Sequence, residues 1–407
     1  MTLIHRLIIS AYNPFTAQKG RKETLMINTD KDALFCSEQV ITYLGNKRKL
    51  LPYIESVVKE IQAELGKDKM ICADLFSGSG VVARMLKPYS STLVTNDMEE
   101  YSRLINDCYL TNKEDFDNAK YQAYKDALDE HCNTLEAGII AKNYAPKDDT
   151  DIKAGERVFY TTRNAQFIDT AMNFILTKIE EEYQKFFIAP LLYEASVHAN
   201  TSGIFKSFYK NSSTGKGQFG GNAKNCLERI TGEISIKKPV FSESSAKHIS
   251  LQGDANKIAK NLIEMDIVYL DPPYNQHGYG SNYFMLNTIA QHKLGKNPSK
   301  VSGIPDDWNR SDYNRRDTAL SSLEDLVRKL DSKYIIISYN SDGFIPKADM
   351  EDMLKKYGDL NTVSVKYNTY RGSRNLNKRD IYVNEYLFVL KKESKAVIHS
   401  ELLLCAG

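Results

Sequence analysis

Four consecutive residues, Asp271-Pro272-Pro273-Tyr274, combine a carboxylate, a rigid turn and an aromatic ring. The two prolines fix φ and remove two backbone N–H donors, while their carbonyls stay free to accept hydrogen bonds. The carboxylate and a proline carbonyl can each accept one N–H of an exocyclic amino group, and the tyrosine ring can stack on a planar base. The segment therefore predicts a site for a nucleobase that carries an amino group.

A second candidate site lies in Asp74-Leu75-Phe76-Ser77-Gly78-Ser79-Gly80, where glycines follow an acid at the end of an apolar run. Glycines let the backbone turn close to a ligand. The spacing matches neither the GxGxxG dinucleotide loop nor the GxxxxGK[ST] phosphate loop. Asp97 follows about twenty residues later, where an acid suits ribose hydroxyls, although an aspartate there could equally cap a helix. Together the two segments leave a nucleotide-like ligand and a helix cap as equal alternatives for Asp97.

The elements that must position these residues are short apolar runs, which predict buried strands. Such runs occupy residues 70–75, 92–95, 266–270 and 334–338. Helical patterns lie between them, at 81–86 and 321–330, and residues 382–391 predict an edge strand. Strands alternating with helices predict an α/β fold with a mainly parallel sheet, whose carboxyl edge binds the ligand.

The pattern breaks between about residues 109 and 250. Residues 97–182 hold 10 Lys and Arg against 19 Asp and Glu, and the segments 112–136 and 165–183 are predicted to be helical. Residues 203–248 hold 8 basic against 3 acidic residues. A basic face can meet phosphates, although the same charge is typical of an ordinary solvated surface. We predict an inserted, mostly helical unit between two halves of the α/β domain.

Basic and aromatic residues interleave in the later part of this insertion, which suits contacts to a nucleic acid. The aromatic residues are Phe205, Phe208, Tyr209 and Phe219. The predicted nucleic-acid-binding residues are Lys206, Lys210, Lys216, Lys224 and Arg229, with Arg371, Arg374, Lys378 and Arg379 as a second basic loop.

Composition excludes several classes of protein. The chain has 407 residues, of which 42% are hydrophobic and 26% charged, so a sizeable core is expected. No apolar run approaches the roughly 20 residues that span a bilayer, and no signal peptide is predicted. The six cysteines form no CxxC pair, which favours reduced thiols, a cytoplasmic location and no metal site.

The motifs in order resemble a known family. Tyr43-Leu44-Gly45-Asn46-Lys47 matches YxGxK, residues 74–80 match DxFxGxG, an insertion follows, and residues 271–274 match DPPY. This order resembles the Dam-like (alpha-group) N6-adenine-specific DNA methyltransferases, among them methylases of type II restriction-modification systems. The resemblance covers residues 41–392. Residues 199–203, Ala-Asn-Thr-Ser-Gly, resemble an ANTxG element of some restriction-system members.

The resemblance implies a Rossmann-like S-adenosylmethionine-dependent methyltransferase fold with an inserted, mostly helical target-recognition domain. The predicted units are an N-terminal extension (1–35), a catalytic domain in two parts (36–110 and 249–392), the DNA-binding insertion (111–248) and a C-terminal tail (393–407). The residues expected to bind the cofactor, S-adenosylmethionine, are Tyr43, Gly45, Lys47, Asp74, Phe76, Gly78, Gly80, Asp97, Asp254 and Asp271. The residues expected to hold the target base are Asp271, Pro272, Pro273 and Tyr274.

Partners and alternatives follow from the same resemblance. Double-stranded DNA is the expected substrate, a cognate restriction endonuclease is expected to act separately, and a monomer is the expected state. An N4-cytosine methyltransferase would use the same chemistry, although that class usually begins the tetrapeptide with Ser. RNA and protein-glutamine methyltransferases more often begin it with Asn. A noncatalytic DNA-binding component on the same scaffold is a further alternative. An aspartate at position 271 disfavours the classes that begin the tetrapeptide with Ser or Asn, but it does not exclude them.

Overall fold

The computed structural model describes residues 32, 35–36, 38–43, 45, 47–221, 226–368 and 382–393. In this part of the chain, seven strands form one sheet in the order β3-β2-β1-β4-β5-β7-β6. The strands are β1 Met70–Asp74, β2 Ser90–Asp97, β3 Lys247–Gln252, β4 Met265–Leu270, β5 Ser332–Asn340, β6 Gly358–Asn368 and β7 Tyr382–Lys392. Strands β1 to β5 pair in parallel, and β7 is antiparallel to β5 and β6. The Rossmann-like α/β fold expected from the sequence is thus confirmed.

Helices cover both faces of this sheet. The α-helices are α1 Leu51–Leu65, α2 Val81–Leu86, α3 Glu100–Tyr109, α4 Asn118–His131, α5 Ile139–Tyr144, α6 Thr162–Lys178, α7 Glu181–Val197, α8 Leu227–Thr231, α9 Ala255–Ile258, α10 Tyr279–Asn282, α11 Phe284–Gln291, α12 Ala319–Lys329 and α13 Lys347–Leu354. Along β4, Ile267 and Tyr269 join one hydrophobic core while Val268 and Leu270 join the other. A strand buried on both faces has no polar side, which is why it is a continuous apolar run. No described helix is long and apolar enough to cross a membrane.

The inserted segment is built around helices α4 to α7, and the sheet resumes at Lys247. Its apolar side chains, such as Ile168 and Phe187, belong to the same core cluster as Ile267 and Tyr269 of the sheet. The backbone N–H of Thr42 also donates to Ser196 Oγ at the end of α7, at 3.0 Å. The insertion therefore packs on the sheet domain instead of standing apart from it. The domain boundaries themselves stay predictions.

The end of the predicted N-terminal extension takes part in the core. Asp32 is buried, and its carboxylate accepts hydrogen bonds from Ser242 Oγ (2.8 Å), the Glu243 N–H (2.7 Å) and Ser244 Oγ (2.9 Å). The Arg84 guanidinium in α2 donates to the Phe35 carbonyl at 2.7 Å. These contacts anchor the segment that leads to the YxGxK motif.

Three expectations about elements were incomplete or wrong. Residues 382–391 form a strand but not an edge strand, because β7 lies between β5 and β6. Strands β3 and β6 were not predicted. No residue of β3 is fully buried, and Lys247, Ile249 and Gln252 are exposed, so the strand has no apolar run that the sequence could show. The helix predicted over 165–183 ends at Lys178, and α7 starts at Glu181.

Candidate active site

Three aspartates meet at the carboxyl edge of the sheet. Asp74 ends β1, Asp97 ends β2, and Asp271 directly follows β4. Because β1 lies between β2 and β4, and the chain order reverses there, this edge is the topological switch point where open α/β sheets bind ligands. A cavity of about 370 Å³ opens at this point, within the usual range of small-molecule sites. Its lining includes Tyr43, Gly45, Lys47, Asp74, Phe76, Gly78, Asp97, Asp254, Asp271 and Pro273.

The glycine-rich loop is shaped by two residues with left-handed backbone. Gly78 has φ +48°, and its N–H donates to Asp97 Oδ2 at 2.8 Å. A Cβ on Gly78 would lie 3.0 Å from the Tyr43 ring, so the YxGxK tyrosine packs directly on the loop. Gly80 has φ +70°, and a Cβ there would lie 2.5 Å from Asn106 Oδ1. The loop therefore requires glycine at both places, for conformation and for space.

We expect Gly80→Ala to weaken cofactor binding about tenfold or more, since a left-handed alanine costs roughly 1–2 kcal/mol and the loop must also move. The neighbouring Asn106 cannot yield easily, because it is buried and its Nδ2 donates to Ser77 Oγ and the Ser102 carbonyl. Gly66→Ala is the matched control. Gly66 has φ +62°, a Cβ there would have no atom within 4 Å, and the residue ends α1, away from the loop.

Calorimetric titration with S-adenosylmethionine, together with the thermal midpoint of each variant, checks this prediction. Both variants should lose some thermal stability from backbone strain, but only Gly80→Ala should lose affinity. Equal affinity of Gly80→Ala and the parent would show that the shape of this loop does not govern cofactor binding.

Asp97 is anchored by the backbone on both sides. Its Oδ2 accepts the Gly78 N–H, and its Oδ1 accepts the Glu99 N–H at 3.0 Å. Burial raises its pKa, and these hydrogen bonds oppose that effect. Asp97 is not the N-cap of α3, because Glu99 occupies that position. The carboxylate is thus held rigidly at the cavity, where its remaining lone pairs can accept further donors.

Asp74 presents an acceptor without a protein partner. It is 1% exposed, and its Oδ1 has no hydrogen-bond partner in the described part of the chain. Burial, and then the negative charge of Asp271, raises its pKa well above the usual value. A buried acceptor is costly without a donor, so this atom suits a ligand that brings one.

Asp271 forms an ion pair with Lys47 across the cavity floor. Lys47 Nζ lies 2.9 Å from Asp271 Oδ1, and the side chains are 7% and 21% exposed. Burial raises the pKa of Asp271, and the positive charge of Lys47 and its hydrogen bond lower it. The net result is a pKa of about 6, above the usual value of an aspartate. Burial would lower the pKa of Lys47, but the negative charges of Asp271 and Glu385 outweigh it and raise that pKa. The pair keeps Asp271 available as a carboxylate at neutral pH.

A second carboxylate behind this pair was missed by sequence reasoning. Glu385 on β7 is 6% exposed, and its Oε1 accepts a hydrogen bond from Asn340 Nδ2 at 3.0 Å. The two residues are register partners across β5 and β7. No local pattern points to Glu385, because only the antiparallel pairing places it near residues 47 and 271.

The Pro-Pro-Tyr part of the motif is held by its own neighbours. The N–H of Phe344 donates to the Tyr274 carbonyl at 3.0 Å, and the Tyr274 ring lies edge-on to Tyr339 at 6.3 Å. Tyr274 is half-buried, which leaves part of its ring accessible. No described residue donates a backbone hydrogen bond to the Pro272 carbonyl. Among the described residues, the Pro272 carbonyl is therefore an acceptor without a backbone donor, in the residue that directly follows Asp271.

An aromatic stack forms one wall of the cavity and was also not predicted. The Tyr43 ring stacks on Tyr283 at 4.8 Å and on Tyr279 at 5.1 Å. A second aromatic pair in the lining is formed by Phe76 and Tyr313, which meet edge-on at 5.2 Å. These rings lie in segments with no helical or strand period of their own, so their convergence depends on the tertiary fold.

Asp254 lines the cavity at the start of α9. Its Oδ1 accepts the Asn256 N–H at 2.9 Å, which caps that helix. This capping role alone would explain why an aspartate occupies position 254. Its position in the cavity lining is also compatible with the expected contact to the cofactor's adenine.

The predicted DNA-binding residues separate into three groups. Lys210 and Lys216 are exposed, and Lys206 is half-exposed. The Arg229 guanidinium instead donates to the carbonyls of Val197 and Ala199 at the end of α7. The residues that lie outside the described part of the chain are Lys224, Arg371, Arg374, Lys378 and Arg379.

Two of the interleaved aromatic residues, which were predicted to suit contacts to a nucleic acid, are buried. Phe205 is 2% exposed and Phe208 is 7% exposed. Both pack against Phe159 in the core, at 6.2 Å and 5.2 Å between ring centroids. They fix the backbone of this segment, and they are not available to stack on bases.

Comparisons with known proteins agree with the geometry. The model of the family described as D12 class N6 adenine-specific DNA methyltransferase matches residues 43–353. The chain is 29% identical over 364 residues to type II methyltransferase M.NlaIII of Neisseria lactamica, and the alignment covers 86% of this chain and 99% of that protein. It is 27% identical to M.CviAII of Paramecium bursaria Chlorella virus 1, with 86% and 97% covered.

Some relatives are much longer than this chain. Modification methylase StsI of Streptococcus sanguinis is 28% identical over 363 residues, which cover 86% of this chain and 52% of that protein. Among solved structures, a magnesium protoporphyrin IX methyltransferase from Synechocystis with bound S-adenosylmethionine is 9% identical, with a TM-score of 0.29 and 86% of each chain covered. At this TM-score, the similarity supports no conclusion about the function of the chain.

Proposed function

Because this chain belongs to the family of D12 class N6 adenine-specific DNA methyltransferases and uses S-adenosylmethionine, we propose that it methylates an adenine flipped out of a specific DNA sequence. The proposal depends above all on the Asp271 carboxylate, which lines the cavity and pairs with Lys47 at 2.9 Å, and which directly precedes Pro272. Flipping is required because a base inside a duplex cannot reach a site at a sheet edge.

The cavity suits the cofactor. Asp97, held by two backbone N–H groups, offers acceptors for the ribose hydroxyls. The unpartnered Asp74 Oδ1 offers a buried acceptor for a donor of the methionine end, close to Tyr43, Gly45 and Lys47. When bound, S-adenosylmethionine supplies an electrophilic methyl group on a sulfonium.

Asp271 and Pro272 perform the chemistry on the base. The N6 lone pair of adenine is delocalised into the ring and is therefore a poor nucleophile. When the carboxylate and the carbonyl accept the two N6 hydrogens, they favour a pyramidal nitrogen whose lone pair faces the methyl group. The same acceptors would stabilise the positive charge that develops on N6 as its lone pair bonds to the methyl carbon and the carbon–sulfur bond breaks. The sulfur would leave as a neutral thioether, and N6 would lose one proton.

Tyr274 is proposed to stack on the flipped adenine, which returns roughly 1–3 kcal/mol of the flipping cost. We expect Tyr274→Ala to raise the KM for DNA about tenfold or more, because the stacking partner is removed. Cofactor affinity should be unchanged, since Tyr274 does not line the cavity. Tyr274→Phe is the matched control and should retain most activity. Steady-state kinetics on a duplex with one target site checks this, and an unchanged KM in Tyr274→Ala would contradict the stacking role.

The same proposal places the enzyme in a type II restriction-modification system, as the modification partner of a separately acting endonuclease. Support comes from the nearly full-length match to the type II methyltransferases M.NlaIII and M.CviAII. We further propose that it acts as a monomer in the cytoplasm. Sequencing plasmid DNA that the enzyme has modified, with detection of N6-methyladenine, tests sequence specificity. One short motif should be methylated at nearly every occurrence, and methylation scattered without a motif would contradict the proposal.

A further inference from the structure

Asn200 is a buried amide that joins three segments of the insertion. It is 0% exposed, and its Nδ2 donates to the carbonyls of Val158 (2.7 Å) and Gln218 (2.8 Å). Its Oδ1 accepts the Gly220 N–H at 3.0 Å. Both ends of the amide are therefore used, and Asn200 fastens residues 218–220 to residue 158.

The segment that Asn200 holds is a small hairpin, residues 209–220, which we call the basic hairpin. The Gln218 N–H donates to the Tyr209 carbonyl at 3.0 Å, and the Asn211 N–H donates to the Lys216 carbonyl at 2.8 Å. A Cβ on Gly217 would lie 2.3 Å from Val158 Cγ2, so the backbone of the hairpin sits directly on the core. The hairpin is thus shaped before any ligand arrives.

The charged residues in and around the basic hairpin are all positive. Residues 203–221 contain three lysines and no acidic residue. Lys210 and Lys216 are exposed on the basic hairpin and pair with no carboxylate within the described residues. Lys210 Nζ lies over the Phe208 ring, 5.1 Å from its centroid. Lysines without carboxylate partners on a preformed loop suit the phosphates of a DNA backbone, which such cations bind with release of counterions.

The segment that leads into the basic hairpin is connected to the cavity. The Phe205 N–H donates to the Asn282 carbonyl, at the end of α10, at 2.7 Å. At the start of α10, Tyr279 lines the cavity and stacks on Tyr43. These contacts link the segment before the hairpin to one side of the cavity.

We propose that Asn200 is a positioning residue for DNA binding: it holds the basic hairpin in the shape that presents Lys210 and Lys216 to DNA phosphates. The inference rests on the proposed function. It also assigns a physical role to the Asn of the ANTxG element, which acts through the hairpin and does not touch the DNA itself.

Asn200→Asp is the test, because it replaces the Nδ2 donor by an oxygen that faces two carbonyls. We expect DNA affinity to fall about tenfold or more and the slope of log affinity against log salt to shrink by about two, since roughly 0.9 counterions are released per phosphate contact. Cofactor affinity and the rate at saturating DNA should stay close to those of the parent. Asn143→Asp is the matched control, since it removes one amide hydrogen bond, to the Ile139 carbonyl, elsewhere in the insertion.

A salt slope unchanged in Asn200→Asp would overturn the proposal. If Asn200→Asp does not fold, lysine acetylation footprinting of the parent protein decides. Protection of Lys210 and Lys216 by a duplex bearing the target site, with a smaller salt slope in the double variant Lys210→Gln/Lys216→Gln, supports the proposal, and acetylation unaffected by DNA overturns it. Failure of the parent to bind or methylate DNA at all would instead contradict the proposed function.

Discussion

Asp271→Asn is expected to lower the rate of methyl transfer by about a thousandfold, in the range found when one group that stabilises a developing charge is removed. The amide has nearly the same shape as the carboxylate but lacks its negative charge. It would also turn a donor either toward Lys47, which lies 2.9 Å from Asp271 Oδ1, or toward the adenine amino group. With the donor toward Lys47, the ion pair is lost and a neutral oxygen replaces the charged acceptor at the adenine; with the donor toward the adenine, the hydrogen bond that supports the attacking nitrogen is lost.

Single-turnover methylation of a duplex at saturating cofactor and DNA measures this effect directly. DNA binding should largely persist, since Asp271 is not part of the proposed phosphate surface. Asp342→Asn is the matched control, because that aspartate is exposed and outside the cavity lining. A single-turnover rate in Asp271→Asn within a few-fold of the parent would remove Asp271 from the reaction.

Lys47→Met is expected to have the second largest effect, and a distinctive pH dependence. In the parent, the pKa of Asp271 is about 6, so the rate should fall as the pH drops through about 6 and the carboxylate becomes protonated. Removal of the Lys47 charge removes the effects that lower this pKa, and the carboxyl then stays protonated to higher pH. The acidic limb of the pH profile should therefore move upward, with a loss of about a hundredfold or more at pH 7 that partly recovers in base.

The pH profile of the single-turnover rate checks this, and the free energy of unfolding provides a second readout. Breaking a buried ion pair costs about 3–5 kcal/mol of stability at a pH where the remaining carboxylate is charged. Lys67→Met is the matched control, since Lys67 pairs with Asp266 at 2.8 Å outside the cavity lining. An acidic limb at the same pH in Lys47→Met and the parent would show that Lys47 does not set the charge of Asp271.

Much of the site could be predicted because parallel strands bring their carboxyl ends to one edge. Asp74, Asp97 and Asp271 each follow an apolar run, and neighbouring strands of a doubly wound sheet place such residues together. The glycine-rich loop could also be predicted from the sequence. A left-handed backbone such as that of Gly78 and Gly80 strongly favours glycine, so the residue type itself indicates the turn.

The remaining features depend on contacts that no local pattern encodes. Glu385 lies behind Asp271 only because β7 runs antiparallel to β5. Phe205 and Phe208 alternate with lysines, a spacing that equally fits a surface motif and a segment with one face buried. The sequence shows Asn200 only as part of the ANTxG element. Its hydrogen bonds to the Val158 carbonyl and the Gly220 N–H depend on the fold that brings those residues together.

Nucleoside analysis after transfer of a labelled methyl group decides whether this chain methylates adenine in DNA through Asp271. Duplex DNA is incubated with the protein and methyl-labelled S-adenosylmethionine, digested to nucleosides and separated. We expect the label to elute with N6-methyladenine and Asp271→Asn to yield almost none. Label in N4-methylcytosine, or no label in DNA with the parent protein, would contradict the proposed reaction.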